Sequence, residues 1–93
     1  MKGYLIARKI KNNLYMPIVN PKQIRYVLNK TFYGETICYE NIKDLQKLYS
    51  FIAEVDTENN YKILEIDLKS VDTNKKDDFI TAYSFIVEKE LVL

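Results

Sequence analysis

One segment of this chain constrains its fold more than any other. Ile42, Leu45, Leu48, Tyr49, Ile52 and Val55 recur at steps of three and four, the spacing that places side chains on one face of an α-helix. Lys43, Asp44, Gln46, Lys47, Ser50 and Glu54 fall on the opposite face. Asn41 precedes the first apolar position, with Asp44 three residues on, an approximate N-terminal capping signal. The spacing therefore predicts one amphipathic helix over about residues 41–55, of roughly three and a half turns. Thr57–Asn60 is polar and ends it.

Everything around that helix reads as strand. Tyr4, Ile6 and Ile10 alternate with Leu5, Ala7 and Lys9, and Leu14–Val19 reads as a returning strand after Lys11-Asn12-Asn13. Asparagine tolerates the left-handed conformation a tight hairpin needs. Pro17 cannot donate to a ladder, so that strand belongs at an edge or carries a bulge. Ile24, Tyr26 and Leu28 alternate with Arg25 and Val27, which favours extended structure over Gln23–Asn29. An Asn20-Pro21 helix start remains the alternative. Gly34 marks a turn or bulge before a short strand, Thr36–Tyr39. Beyond the helix, Leu64, Ile66 and Leu68 alternate with Ile63, Glu65 and Asp67 in a strand over Tyr61–Lys69, expected to pack its Leu64 face on the helix. A polar loop, Asp72–Asp78, leads to a strand over Phe79–Val87, with Glu88–Leu93 continuing it or forming a short last strand. The class implied is α+β: a small, mostly antiparallel sheet with one helix on one face. One helix covers little sheet, so part of the other face is expected to be exposed or used.

The chain has 93 residues, 47% of them apolar and 29% charged, which suits one folded domain over residues 1–93. The single cysteine, Cys38, excludes an internal disulfide and reads as a small buried hydrophobe. Lys9, Lys11, Asn12 and Asn13 interrupt the apolar run Leu5–Ile10, and no stretch approaches the ~18 apolar residues of a membrane span. The expectation is a soluble cytoplasmic protein that does not enter membranes.

Absences narrow the chemistry. With no histidine, the commonest general base and metal ligand is missing, and Ser-His-Asp or Cys-His catalysis within one chain is excluded. Gly3 and Gly34 are the only glycines, so there is no glycine-rich phosphate loop. No catalytic residue, metal site or cofactor is assigned. Glu65 and Asp67, two apart on a strand, could act as a carboxylate pair for acid–base work or a divalent cation. Alternation alone also demands polar residues there.

Charge is segregated along the chain. Residues 1–30 hold seven basic side chains (Lys2, Arg8, Lys9, Lys11, Lys22, Arg25 and Lys30) and no acidic one. The whole chain nets only +1, so the residues from 31 onward sum to −6. A basic hairpin interleaved with Tyr4, Tyr15 and Tyr26 would suit phosphate contact and base stacking. The sequence pI of about 7.7 argues against a dedicated nucleic-acid module. Pairing of the basic hairpin with the acidic strands would also cancel the segregation in space. Eight tyrosines exceed what a core this small can bury, and tyrosine is favoured at binding surfaces. The candidate binding residues are Arg8, Lys9, Lys11, Arg25, Tyr26 and Tyr33.

Several segments together resemble an uncharacterised family of small phage and prophage proteins. They are Lys2-Gly3-Tyr4, Leu28-Asn29-Lys30-Thr31-Phe32, Ile37-Cys38, the helix Asn41–Tyr49, Ile63-Leu64-Glu65-Ile66, Lys76-Asp77-Asp78-Phe79-Ile80 and Ile86–Leu91. The chain departs from that pattern in lacking its further glycines and histidine. The resemblance implies a phage or mobile-element origin and assigns no activity. Such accessory proteins often inhibit host machinery stoichiometrically, anti-CRISPR proteins among them. The leading expectation is thus a non-enzymatic protein-binding module, an inhibitor of a bacterial host or defence protein. Alternatives are a nucleic-acid-binding module using the basic hairpin, and a small carboxylate-based enzyme or cation-binding protein. A protein partner leads, and homodimerisation through an uncovered sheet edge is compatible with each reading.

Overall fold

Asn41 opens the helix as its side chain requires. Its backbone is extended, and its Oδ1 accepts the N–H of Lys43 at 2.9 Å, satisfying one of the donors a helix start leaves free. The computed structural model describes residues 1–18, 24–72 and 79–92, and in it α1 runs over Ile42–Val55. Asp44 lies in the first turn, where a carboxylate suits the helix dipole. The last turn closes on Asp56, whose N–H reaches the Ile52 carbonyl. The Asp56 carboxylate then accepts from Asn59 Nδ2 at 2.8 Å and from the Tyr61 hydroxyl at 2.6 Å. These bonds, the Tyr61 one foremost, hold its carboxyl below the ordinary range and fix the turn into the next strand.

Five strands make one antiparallel sheet: β1 (Lys2–Lys11), β2 (Leu14–Pro17), β3 (Thr31–Tyr39), β4 (Tyr61–Asp72) and β5 (Phe79–Leu91). Their order is β2-β1-β3-β5-β4, and a further pairing joins β4 to β1. That pairing is continuous from Lys2↔Asp67 to Arg8↔Tyr61. On its other edge β1 meets β3 at Tyr4↔Tyr39 and β2 from Ala7↔Pro17 onward. So β1, β4, β5 and β3 form a closed circuit, with β2 carried on the edge of β1.

Closure gives the sheet an inside and an outside, each with its own core. Inside lie Leu5, Ala7, Tyr15, Tyr26, Cys38, Leu64, Ile66, Leu68, Ile80, Ala82, Phe85 and Val87. Outside, α1 sets Leu45 against Ile6, Tyr61 and Ile63, flanked by Tyr4, Tyr39, Tyr49, Ile52 and Leu91. The expectation that the Leu64 face packs on the helix is therefore reversed. The helix takes the Tyr61–Ile63 face, and the sheet covers Leu64, Ile66 and Leu68 by folding over them.

Other expectations meet the structure with adjustments. The hairpin forms, with Asn13 at φ 65° in its turn. The returning strand stops at Pro17 and is an edge strand; Val19 lies outside the described residues. Among the described residues three strands, not four, precede the helix. The expected strand over Gln23–Asn29 reduces to one bridge, Tyr15↔Tyr26, followed by a turn at Leu28-Asn29, while Gln23 lies outside the described residues. Ile24, Tyr26 and Leu28 do share a face, because all three pack on the inner core. Gly34 sits where the β3–β5 register shifts, between Tyr33 and Thr36, so it marks a bulge inside a longer strand. Asp72, expected in the polar loop, ends β4, and residues 73–78 lie outside the described residues. The last strand runs unbroken to Leu91. Among the described residues no helix is long and apolar enough to cross a membrane.

Candidate functional site

The segregated charge of the sequence is cancelled in part by the fold. Antiparallel pairing of β1 with β4, and of β4 with β5, brings the basic N-terminus beside the acidic strands. Lys2 pairs with Glu88, and Lys9 lies 3.0 Å from Glu90, which Lys62 also approaches at 3.9 Å. The two candidate carboxylates are similarly engaged. Glu65 lies 3.6 Å from Lys89, and Asp67 lies 2.7 Å from Lys69 and 3.7 Å from the N-terminal ammonium. Lys69, the N-terminal ammonium and Lys2 hold the Asp67 carboxyl below its usual range, the Lys69 hydrogen bond most strongly. Among the described residues no group of three or more acidic or cysteine side chains is placed to hold a metal ion.

The six candidate binding residues do not come together as one surface. Arg8 is half-buried on the outer face, its Nη2 against the Met16 sulfur and its Nε buried without a hydrogen-bond partner among the described residues. Lys9 is half-buried in its ion pair. Lys11 and Arg25 are exposed. Tyr26 is a core residue, 2% exposed, its ring edge-on to Phe32 at 5.0 Å and to Phe85 at 5.7 Å. Its placement among surface residues is corrected: the ring completes an aromatic trio that the sheet interior needs for filling. Tyr33 is 79% exposed on the outer side of β3, with the exposed Tyr83 on the neighbouring β5.

A different surface is built where the sheet splits. β2 and β3 both leave the same edge of β1, β2 from Ala7 and β3 from Tyr4, and then diverge. The split is a cleft of about 520 Å³, within the range of binding sites. Leu5 and Ile6 form its apex, Pro17 and Ile18 one wall, Glu35, Thr36, Ile37 and Tyr39 the other. Tyr26 is its floor, and α1 overhangs it with Leu45 and Leu48. Ile18, Ile37 and Leu48 are exposed at its mouth. On α1 the apolar surface runs on from Leu48 to Phe51 (63% exposed) and Val55 (69%), positions that share one flank of a helix. Among the described residues Glu35 is the only carboxylate lining the cleft.

Of these residues only Tyr26 was selected from the sequence. Ile37 read only as part of the short strand Thr36–Tyr39, and Leu48 and Val55 as part of the apolar helical stripe. The signal available was Phe51, an apolar side chain belonging neither to that stripe nor to the charged face. It shows that α1 carries more apolar surface than one sheet contact covers. Comparison with protein-family models, curated proteins and solved structures finds no match to this chain.

Proposed function

We propose that the chain is a non-enzymatic protein-binding module whose contact surface is the cleft between β2 and β3 with the adjoining flank of α1. The observation that carries this reading is the exposed Ile18, Ile37 and Leu48 at one concavity, continued along α1 by exposed Phe51 and Val55. Contiguous apolar surface of this kind marks interaction sites, and Tyr33 and Tyr83 add aromatic contact area of the sort favoured at interfaces. At a finer level, we propose that the partner is a bacterial host or defence protein and that occupancy itself inhibits it. That refinement rests on the resemblance to small phage proteins and on the absence of histidine, thiol–base or phosphate-loop chemistry in the sequence.

The nucleic-acid reading has less support than the sequence alone offered, because Lys2 and Lys9 already neutralise Glu88 and Glu90. A photo-crosslinking amino acid placed at position 51, with one at position 69 as control, tests the proposal in bacterial lysate. The expected result is a discrete protein adduct at 51, resistant to nuclease and abolished by Leu48→Asp. Equal adducts at both positions, or adducts lost on nuclease treatment, would overturn it.

A further inference from the structure

We infer that the cleft receives an extended segment of the partner, laid along the open edge of β3 with a lysine or arginine opposite Glu35; this rests on the protein-binding reading above. Three observations carry it. First, β3 is bonded along one edge to β5 from Thr31 to Tyr39, whereas among the described residues its other edge is paired only at Tyr39, with β1. Glu35, Thr36 and Ile37 border the cleft just beyond that last pair. A sheet edge presents backbone donors and acceptors at strand spacing, and an added strand is the occupant that satisfies them in series. Such a strand lies only ~4.8 Å from the edge, while a helix needs a channel of about 10 Å.

Second, side chains along a strand alternate between two sides. One side of the incoming segment would meet Leu45 and Leu48 above, and the other Tyr26 and Leu5 below, both apolar. The expected segment is therefore apolar at successive positions along the cleft.

Third, Glu35 is exposed on the wall and has no ion pair among the described residues. Most other carboxylates of the sheet (Glu65, Asp67, Glu88 and Glu90) already face a cation. A basic side chain in the occupant supplies the missing complement and fixes register. The same carboxylate argues against a second copy of this chain as occupant. A two-fold β3–β3 pairing centred on Thr36 would set each Glu35 opposite Ile37 and diagonal to the other Glu35, leaving both carboxylates without a cation.

The test is selection of a random 12-residue peptide display library on the intact protein, with counter-selection on Leu48→Asp. Enriched peptides are expected to carry consecutive apolar residues next to a lysine or arginine. Binding should fall at least tenfold on Glu35→Lys, a change at an exposed position that leaves folding intact. Hydrogen exchange of the complex should show new protection at amides within residues 35–38. Peptides that bind the cleft without protecting those amides, or without a basic residue, would overturn the strand-addition inference and leave the protein-binding reading standing. Peptides that bind wild type and Leu48→Asp alike would overturn both.

Discussion

The hydroxyl of Tyr15 donates to the Glu90 carboxylate at 2.6 Å, joining residues 75 apart in sequence across the open end of the sheet. Lys9 and Lys62 approach the same carboxylate. The Tyr15 hydrogen bond, followed by Lys9, holds the Glu90 carboxyl below its usual range. Burial, and then Glu90 itself, push the Tyr15 phenol up to about 12. Tyr15→Phe removes the bond while keeping the ring, and a hydrogen bond to a charged group contributes about 1.5–3 kcal/mol. A loss of that order is expected in urea unfolding at pH 7, with the slope unchanged. The signs of the two shifts define a window. A lowered carboxylate stabilises above its unfolded value and loses that contribution as pH falls through the folded one. A raised phenol stabilises below its unfolded value and loses that contribution as pH rises through about 12. The difference in Tm between wild type and Tyr15→Phe should therefore be broad and flat near neutrality. It should shrink below about pH 4 and again above about pH 10. A difference independent of pH would show that Tyr15 acts by packing alone.

Cys38 sits at 0% exposure between strands, and burial pushes its thiol up to about 11. Only the thiolate reacts with disulfide or alkylating reagents. Labelling of the native protein at pH 8 is expected to proceed at the rate of global opening, falling with every mutation that stabilises the fold. Rapid labelling in the absence of denaturant would contradict the buried placement.

How much of this was legible beforehand differs from element to element. The helix was, because Asn41 caps it by accepting the N–H of Lys43, its second residue, and Leu45 needs only local periodicity to be seen. The hairpin was, because Asn13 and Pro17 each carry a backbone restriction that survives any tertiary context. The side of β4 that faces the helix was not. Ile63 and Leu64 are both apolar, so the start of this strand is buried on both faces, and alternation cannot say which neighbour covers which. Closure of the sheet depends on one pair, Tyr4↔Tyr39, whose residues carry no mark of being partners. The cleft follows from that closure, since it lies where β2 and β3 part beyond this pair. Its residues looked like core for the same reason. Ile37 and Leu48 have the periodicity of buried positions, and only the three-dimensional path of β2 leaves them open. The charge block was legible as composition but not as surface, because Lys2 and Lys9 find their acids on β5, more than 80 residues away for each pair's ends.

Gly34 adopts φ 153° at the bulge of β3, and a Cβ there would lie 3.2 Å from two ring carbons of Phe32. Both facts oppose any side chain. Phe32 cannot retreat freely, since its ring packs against Tyr26 at 5.0 Å and Phe85 at 5.1 Å. Gly34→Ala is expected to cost about 1–3 kcal/mol, the cost of a sparsely populated backbone conformation. Chemical denaturation checks this. An unchanged midpoint would mean that the bulge relaxes to another register without loss.

Leu45 and Phe51 lie on the same helix and separate stability from binding. Leu45 is 1% exposed between α1 and the Ile6–Ile63 face, and truncating such a residue costs about 2–5 kcal/mol. Phe51 projects from the flank, and surface substitutions of that kind usually change stability by within about 0.5 kcal/mol. Leu45→Ala should therefore lower the urea midpoint sharply, and weaken partner capture beyond the fraction it unfolds, because Leu45 also lines the cleft. Phe51→Ser should leave the midpoint in place and still abolish capture by a photo-crosslinking amino acid placed at position 37, on the cleft wall. If Phe51→Ser instead unfolds the protein, the ring is part of the core and the apolar flank of α1 is not a contact surface. If it leaves both stability and capture intact, the interaction surface lies elsewhere, and the exposed Tyr33 and Tyr83 become the next positions to substitute.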